Sequence, residues 1–393
     1  MSYSLRDYGT MIADEARTSA YVEALRRAVR PGDVVLDLGA GTGIFSLLAC
    51  RLGARRVHAC DTNAAVELAG ELARRNGFGD RVVCHEGPST RLTLPEPVDV
   101  IVSDLRGKLP LAGRGLAALI DARERLLKPE GTVLPRRDTL WLALASAPEA
   151  HRRAVTPWSG NDLGFDLGPW SALLAQSWSP AQPRAIDIAS RPVLWTELDY
   201  RTIRHTDARN RVTCVADRDL EAHGFFLWFD ASIGDEAGFS GGPDAPALPY
   251  GCGFFPWPSP VRVKAGDAVE VDLGATLIGD DYTWTWRSVV GETRFEQSTF
   301  LGGVVSASAM RRRSASHVPE LTEDGRVTLR VLEGLGQRRS LGEIADDLLV
   351  EFRGRFTDRR DALGFVGDLA VEYGASGPNP VAQPAATGGR RAT

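Results

Sequence analysis

The stretch Val34-Val35-Leu36-Asp37-Leu38-Gly39-Ala40-Gly41-Thr42-Gly43 limits what this chain can fold into more than any other. Its first half is an apolar run suited to a strand buried on both faces. Glycines on alternate positions follow, and a helical pattern then runs from Gly43 to about Leu52. Glycine lets the backbone turn sharply and approach a ligand with no Cβ in the way. Strand, glycine turn and helix in this order open a parallel sheet wound with helices. The alternation continues with a strand at Val57–Cys60, a helix from about Ala64 to Asn76, and strands at Val82–His85 and Val98–Ser103. Ahead of the motif, Met11, Ile12, Ala16, Ala20, Ala24, Leu25 and Ala28 fall close to helical spacing. They predict one helix over 11–29, stopped by Pro31-Gly32.

The glycine spacing selects the ligand. A nicotinamide-type G-x-G-x-x-G would need glycine at 44, where Ile44 stands. The helix N-terminus then need not face a pyrophosphate. Asp37, Gly39, Gly41 and Gly43 form D-x-G-x-G-x-G instead, which suits an uncharged thioether nucleoside. Asp61 ends the next strand, about 20 residues on, where an acid can accept both ribose hydroxyls. Glu86-Gly87-Pro88-Ser89-Thr90 follows the third strand, where an adenine would sit, and Ser89 or Thr90 can bond its edge. A plain polar turn explains that segment nearly as well. Together these residues point to S-adenosyl-L-methionine.

Beyond about residue 135 the texture changes. Leu140–Ala145, Gly224–Ser232, Val269–Leu273 and Tyr282–Val289 are short and rich in aromatic or β-branched residues, with Gly and Pro clusters between them. This is an all-β region, a barrel or sandwich. From about 313 helices return at Thr328–Gly334, Ser340–Phe352 and about Asp358–Tyr373, and Ser340-Leu341-Gly342-Glu343 is a capping box. At 393 residues the chain exceeds one core. The expected division is an α/β Rossmann-like domain over 1–135, a β-barrel over 136–312, a small module over 313–374 and a disordered tail over 375–393. A net charge of −5 gives no reason to expect nucleic acid as a partner. No apolar run reaches membrane-spanning length and no signal pattern opens the chain. Five cysteines without a C-x-x-C pair fit reduced thiols, Cys50, Cys60 and Cys84 in apolar stretches, and a cytoplasmic setting. His58 and His85 read as satisfied core groups on strands, and no histidine spacing suggests a metal.

Tyr8-Gly-Thr-Met11-Ile-Ala-Asp14-Glu-Ala-Arg17-Thr18-Ser-Ala-Tyr21 resembles the N-terminal helix motif of protein arginine methyltransferases. Val35–Ile44 is similar to their first cofactor motif, and Val98–Asp104 to the strand leading into their active site. Gly164-Phe165-Asp166 resembles a segment near their dimerisation arm, and His223–Asp230 a barrel segment. The resemblance covers about residues 3–290. It implies a cofactor domain followed by a β-barrel, a homodimer, and Arg17 as the group holding the methionine carboxylate. The family's paired glutamates do not carry over: the first position is Asp104 and the second aligns with Gly113. The family's Thr-His-Trp falls near Leu248-Pro249-Tyr250, so its histidine is missing too.

A guanidinium stays charged near neutrality, so a positioned carboxylate pair helps orient it and accept its proton. A lone Asp104 does this poorly, whereas an amine of lower pKa needs less help; Asp104 also reads as a structural strand-end acid. Tyr8, Asp14 and His223 are further polar candidates, although His223 also reads as an ordinary barrel histidine. Tyr282, Trp284 and Trp286 share one strand face, as barrel core first and as a cation-binding wall second. Residues 318–373 resemble the PqqD-type, winged-helix-like peptide-recognition fold, which implies capture of a leader peptide; a plain helical cap also fits.

The expected function is an S-adenosylmethionine-dependent N-methyltransferase acting on an amine of a peptide, a ribosomal natural-product precursor. A daptide-type enzyme dimethylating a terminal amine is the specific form in view. The alternatives are a bacterial protein arginine methyltransferase and a non-catalytic scaffold with a degenerate methyltransferase fold.

Overall fold

The computed structural model describes residues 3–155, 164–165, 173–181, 187–246, 248, 250, 252–303, 306–312 and 314–374. The anticipated tail over 375–393 lies outside them, as does Asp166 of the segment compared with a dimerisation arm. By contacts the chain forms two units, Met1–Val304 and Val305–Thr393.

The first unit opens with α1 (Leu5–Ala13) and α2 (Glu15–Ala28). One continuous helix was expected there, but Asp14 breaks it. Its backbone is extended and its carboxylate accepts from Arg17 N at 2.8 Å, so it caps α2. Then come β1 (Val34–Leu38), α3 (Ile44–Arg51), β2 (Arg56–Asp61), α4 (Val66–Arg75), β3 (Val82–Glu86), β4 (Val98–Ser103), α5 (Gly115–Leu126) and β5 (Leu127–Leu134). The strands form one parallel sheet in the order β3-β2-β1-β4-β5. Every residue of β1 is buried, which is why its sequence runs apolar rather than alternating. Strand order reverses between β1 and β4, so a crevice opens at their C-terminal ends. Gly39 and Asp104 stand at that edge.

From Arg137 the chain is antiparallel. The strands are β6 (Arg137–Ser146), β7 (Ser179–Ala181), β8 (Asp187–Ile188), β9 (Val193–Asp199), β10 (Ala208–Val215), β11 (Leu220–Ser232), β12 (Gly238–Ser240), β13 (Cys252–Val263), β14 (Ala268–Ile278), β15 (Asp281–Val290) and β16 (Thr293–Ser298), with α6 (Pro148–Val155) after β6. They fall into two sheets, β7-β13-β11-β6-β8 with β9 and β12 attached, and β10-β14-β15-β16. Among the described residues the ladder therefore does not close into the expected barrel. An aromatic core joins the sheets: Phe255 meets Trp284 at 5.5 Å and Trp286 at 5.2 Å, edge to face. Tyr282, Trp284 and Trp286 are all buried, so that strand face is core and not a cation-binding wall.

His58 and His85 form a partly buried pair, Nδ1 to Nε2 at 3.0 Å, but His58 Nε2 has no partner, so the pair is only partly satisfied. Burial and the neighbouring His85 push His58 down to about 4. The five cysteines are free, all buried except the half-buried Cys84.

The second unit holds α7 (Ala307–Arg312), α8 (Glu323–Gly336), α9 (Leu341–Glu351) and α10 (Arg359–Tyr373). Val327, Val331, Ile344, Ala345, Leu348, Phe356, Ala362 and Val366 make its own core. Ser340 caps α9 with the reciprocal bonds of a capping box to Glu343, and Asp358 caps α10. No strand occurs among its described residues, so the wing of a winged helix is not present there. No helix among the described residues is long and apolar enough to cross a membrane.

Candidate functional site

Gly39, Gly41 and Gly43 all have positive φ, at 77°, 51° and 79°. At each, a Cβ would be obstructed as well: by Leu105 at Gly39, by the Tyr8 ring at Gly41 and by Ala69 at Gly43. Gly39 N and Ala40 N donate to Cys60 O at 2.8 and 3.1 Å, tying the turn to the end of β2. Asp61 then braces it from the side. Its Oδ2 accepts from Gly41 N and its Oδ1 from Asn63 N, both at 2.8 Å. A carboxylate accepts about four bonds, so Asp61 keeps capacity for a pair of ribose hydroxyls.

Asp37 lies beneath the turn, buried. Its Oδ2 accepts from Ser46 N and Oγ at 2.9 and 2.7 Å, while Oδ1 has no partner. Burial outweighs the Ser46 bonds and pushes the carboxyl up to about 7. Asp37 thus positions α3 rather than lining the crevice. Ser89 is buried in a single turn over Ser89–Arg91, and Thr90 beside it is exposed. The Tyr8 ring covers Gly41, and burial, helped by the charge of Asp61, pushes its phenol up to about 12. Tyr8 is therefore neutral at physiological pH and a donor, not a base.

Asp104, one residue past β4, gathers a buried charged cluster. Arg17 places Nε and Nη2 on its Oδ2, each at 2.6 Å. The Tyr250 hydroxyl donates to the same oxygen. Arg106 Nη1 donates to Oδ1 at 2.9 Å. The rest of the Arg106 guanidinium forks onto Asp138, Nε to Oδ2 and Nη2 to Oδ1, both at 2.7 Å. Tyr200 adds a 2.6 Å bond to Asp138 Oδ2, and Arg106 Nη1 also reaches the Tyr21 hydroxyl at 2.8 Å. Tyr21 closes the network by donating to Ser103 O at 2.8 Å. Burial alone would raise the Asp104 carboxyl, but Arg17 and Arg106 hold it below the usual carboxylate range. Two cations and two anions make the cluster neutral, which makes its burial tolerable.

The structure therefore brings Arg17, Asp104 and the glycine turn to one crevice, with Tyr8 over it and Asp14 beside it as a cap. It does not bring His223 there. That ring sits on β11 beside His151 at 5.3 Å, with Nδ1 accepting from Ala147 N at 3.4 Å. Burial lowers its pKa, and it is an ordinary buried histidine of the antiparallel region. Sequence reasoning missed Arg106, Asp138, Tyr200 and the role of Tyr250. The one local signal was an acid at 138 opening an otherwise apolar, aromatic strand, since a buried charge needs a partner.

Comparison with known proteins agrees with this arrangement. Residues 14–135 match the family model of ribosomal protein L11 methyltransferase (PrmA). The chain is 31% identical over 274 residues to the arginine N(omega)-methyltransferase of Streptomyces achromogenes subsp. streptozoticus, covering 67% of this chain and 74% of that one. It is 34% identical over 249 residues to the probable protein arginine N-methyltransferase 6 of Arabidopsis thaliana, covering 60% of this chain and 55% of that relative. It thus spans little more than half the length of the Arabidopsis protein. In fold it is similar to a chain of the Trypanosoma brucei PRMT1 enzyme-prozyme heterotetrameric complex with AdoHcy, with a TM-score of 0.68 and 22% identity over 74% of this chain and 96% of that chain.

Proposed function

Because the chain belongs to the protein arginine N-methyltransferase family, we propose that it methylates a nitrogen presented at the crevice beside Asp104, with arginine as the acceptor. It is an S-adenosylmethionine-dependent methyltransferase. The observation carrying the reading is the convergence of the glycine turn, Asp61, Arg17 and Asp104 at the β1/β4 switch point. The relatives named for arginine methylation favour arginine over the peptide amine expected from sequence.

The residues present fit the cofactor. Backbone at Gly39, Gly41 and Gly43 offers close approach, Asp61 would take the ribose hydroxyls, and Arg17 would hold the carboxylate through the Nη1 and Nη2 N–H groups that Asp104 and Met11 O leave over. S-adenosylmethionine supplies a methyl group made electrophilic by its sulfonium. The protein's part is to orient one nitrogen lone pair in line with that carbon and to exclude water. Asp104 would orient the acceptor by a charge-assisted hydrogen bond. A depressed pKa makes it a good anionic anchor and a weak proton acceptor.

A second reading is favoured by one feature of the site. Three donors already occupy Asp104, Arg17 Nη2 adds an ion-pair contact, and glycine stands at 113. With about four acceptor positions on a carboxylate, and Oδ2 filled by two donors beside the Nη2 contact, what remains is a single place on Oδ1. That suits one N–H of an amine better than the fork of a guanidinium. On this reading the acceptor is a peptide amine, the daptide-type terminal amine being one form, and the second unit serves as the docking module for a leader segment. Incubation with methyl-labelled S-adenosylmethionine and three acceptors (free arginine, an arginine peptide and an amine-bearing peptide) separates the readings by mass spectrometry. Label on arginine supports the first, label on a non-arginine amine the second, and no label on any of them counts against both. The family relative assembled as a heterotetramer supports expecting an oligomer here, which light scattering tests.

A further inference from the structure

The cluster around Asp104 contains a guanidinium of the protein's own, bound to the carboxylate that the proposed function assigns to the acceptor. Arg106 is seated by the fork onto Asp138 and by the rings of Phe229 and Phe239, whose centroids lie 5.7 and 5.8 Å from Cζ. Its side chain is 3% exposed, and that seating leaves Nη1 free to reach Tyr21 and Asp104 Oδ1 together. The other carboxylate oxygen is held by Arg17 and Tyr250. We propose that Arg106 is a specificity-determining residue: its guanidinium occupies the Asp104 Oδ1 face and so handicaps acceptors that carry a fixed cation. The proposal rests on the methyl-transfer reading of this crevice and sides with the second, amine-acceptor form of it.

The physical basis is competition for one anion. An acceptor guanidinium seeking a bidentate grip on Asp104 must displace Nη1, and Arg106 cannot swing away cheaply. Leaving would strand Asp138, which is fully buried and whose other named partner is Tyr200. The site therefore carries its counter-cation permanently. A neutral acceptor loses nothing by this, because it needs only one hydrogen bond.

The test uses the full chain, loaded with S-adenosylhomocysteine and separately without it. Arginine amide and its uncharged isostere citrulline amide are titrated by calorimetry, so that methylation itself need not be observed. The wild type is expected to prefer arginine amide by less than about threefold. Arg106→Lys keeps a charge for Asp138 while giving up the fork that also bridges to Asp104. The double variant R106M/D138L removes both buried ions together, so that neither is stranded. Each is expected to shift the arginine-to-citrulline preference upward by about tenfold or more, the worth of one charge-assisted hydrogen bond. Tm of every variant is measured alongside, and the double variant stands in if the lysine variant is poorly folded. Equal preferences in wild type and variants, including no binding of either amide, overturn the proposal, as does a strong arginine preference in the wild type. Failure to bind S-adenosylhomocysteine with the amide preferences shifting as expected would instead count against the methyl-transfer reading alone.

Discussion

Arg17 takes one oxygen of Asp104 and Arg106 takes the other, so each residue of the cluster is worth more than its own bonds. Truncating Arg17 to alanine would leave Oδ2 to Tyr250 alone, in a place where Asp104 is 6% exposed. The expected cost is about 3 kcal/mol in urea unfolding, because a buried carboxylate keeps only one of its two counter-cations, Arg106. A loss below about 1 kcal/mol would mean that the pair is wetter than its burial indicates. Asp37 makes a prediction of opposite character. Its carboxyl is raised to about 7 from an ordinary value near 4, so between those values the folded state holds more protons than the unfolded one. Stability should therefore fall as pH rises from about 4 to 7. Asp37→Asn should flatten that part of the Tm-versus-pH curve. An unchanged slope in the variant would assign the pH dependence to other groups. Residues of this kind divide by legibility. The places of Asp37 and Asp61 beside the glycine turn could be read from sequence because a local motif puts them there, although Asp37 braces α3 through Ser46 where a cofactor contact was expected. Arg106 pairs with Asp138 across 32 positions and Arg17 meets Tyr250 across 233, and no local pattern encodes those distances.

At the scale of elements, the cofactor turn and α1 are one device. Gly41 has φ 51°, and the space a Cβ would fill belongs to the Tyr8 ring, carried on α1. Gly41→Ala should weaken S-adenosylmethionine binding by about tenfold, through left-handed strain and displacement of Tyr8. Combining it with Tyr8→Ala should cost less than the sum of the two single changes, because the clash vanishes when the ring does. Additive effects would show that α1 does not cover the turn in solution. The β4 strand appears in sequence with its observed bounds, Val98–Ser103, because a β-branched apolar run interrupted only by Asp99 and ended by a polar residue leaves little freedom. The same holds for Ser340 and Asp358, whose side chains cap helices by purely local bonds. The Asp14 break was hidden because apolar periodicity passes through it undisturbed, and only the capping bond to Arg17 N reveals two helices. Barrel closure was illegible for a different reason: alternation and turn residues specify strands, whereas closure depends on which edges meet, and among the described residues the strands form two sheets.

On the scale of the whole molecule, the two units have separate cores. The second is built within residues 327–366, and the two clusters of the first draw on residues 20–290. A chain ending at residue 304 should thus unfold cooperatively and bind S-adenosylmethionine within about threefold of the full protein. What the second unit adds is then open to measurement with the acceptor. Leu329, Val350 and Val371 stay exposed on its helices, at 46%, 69% and 86%, so it carries apolar surface its own core does not use. If that unit holds one part of a peptide while another part enters the crevice, the second event becomes intramolecular. Truncation should then raise KM for a long peptide by about a hundredfold and leave kcat intact, while short acceptors that cannot span both places stay unaffected. A KM that does not move for the long peptide would assign the second unit a role outside substrate capture, and acceptor choice would then rest on the crevice around Asp104.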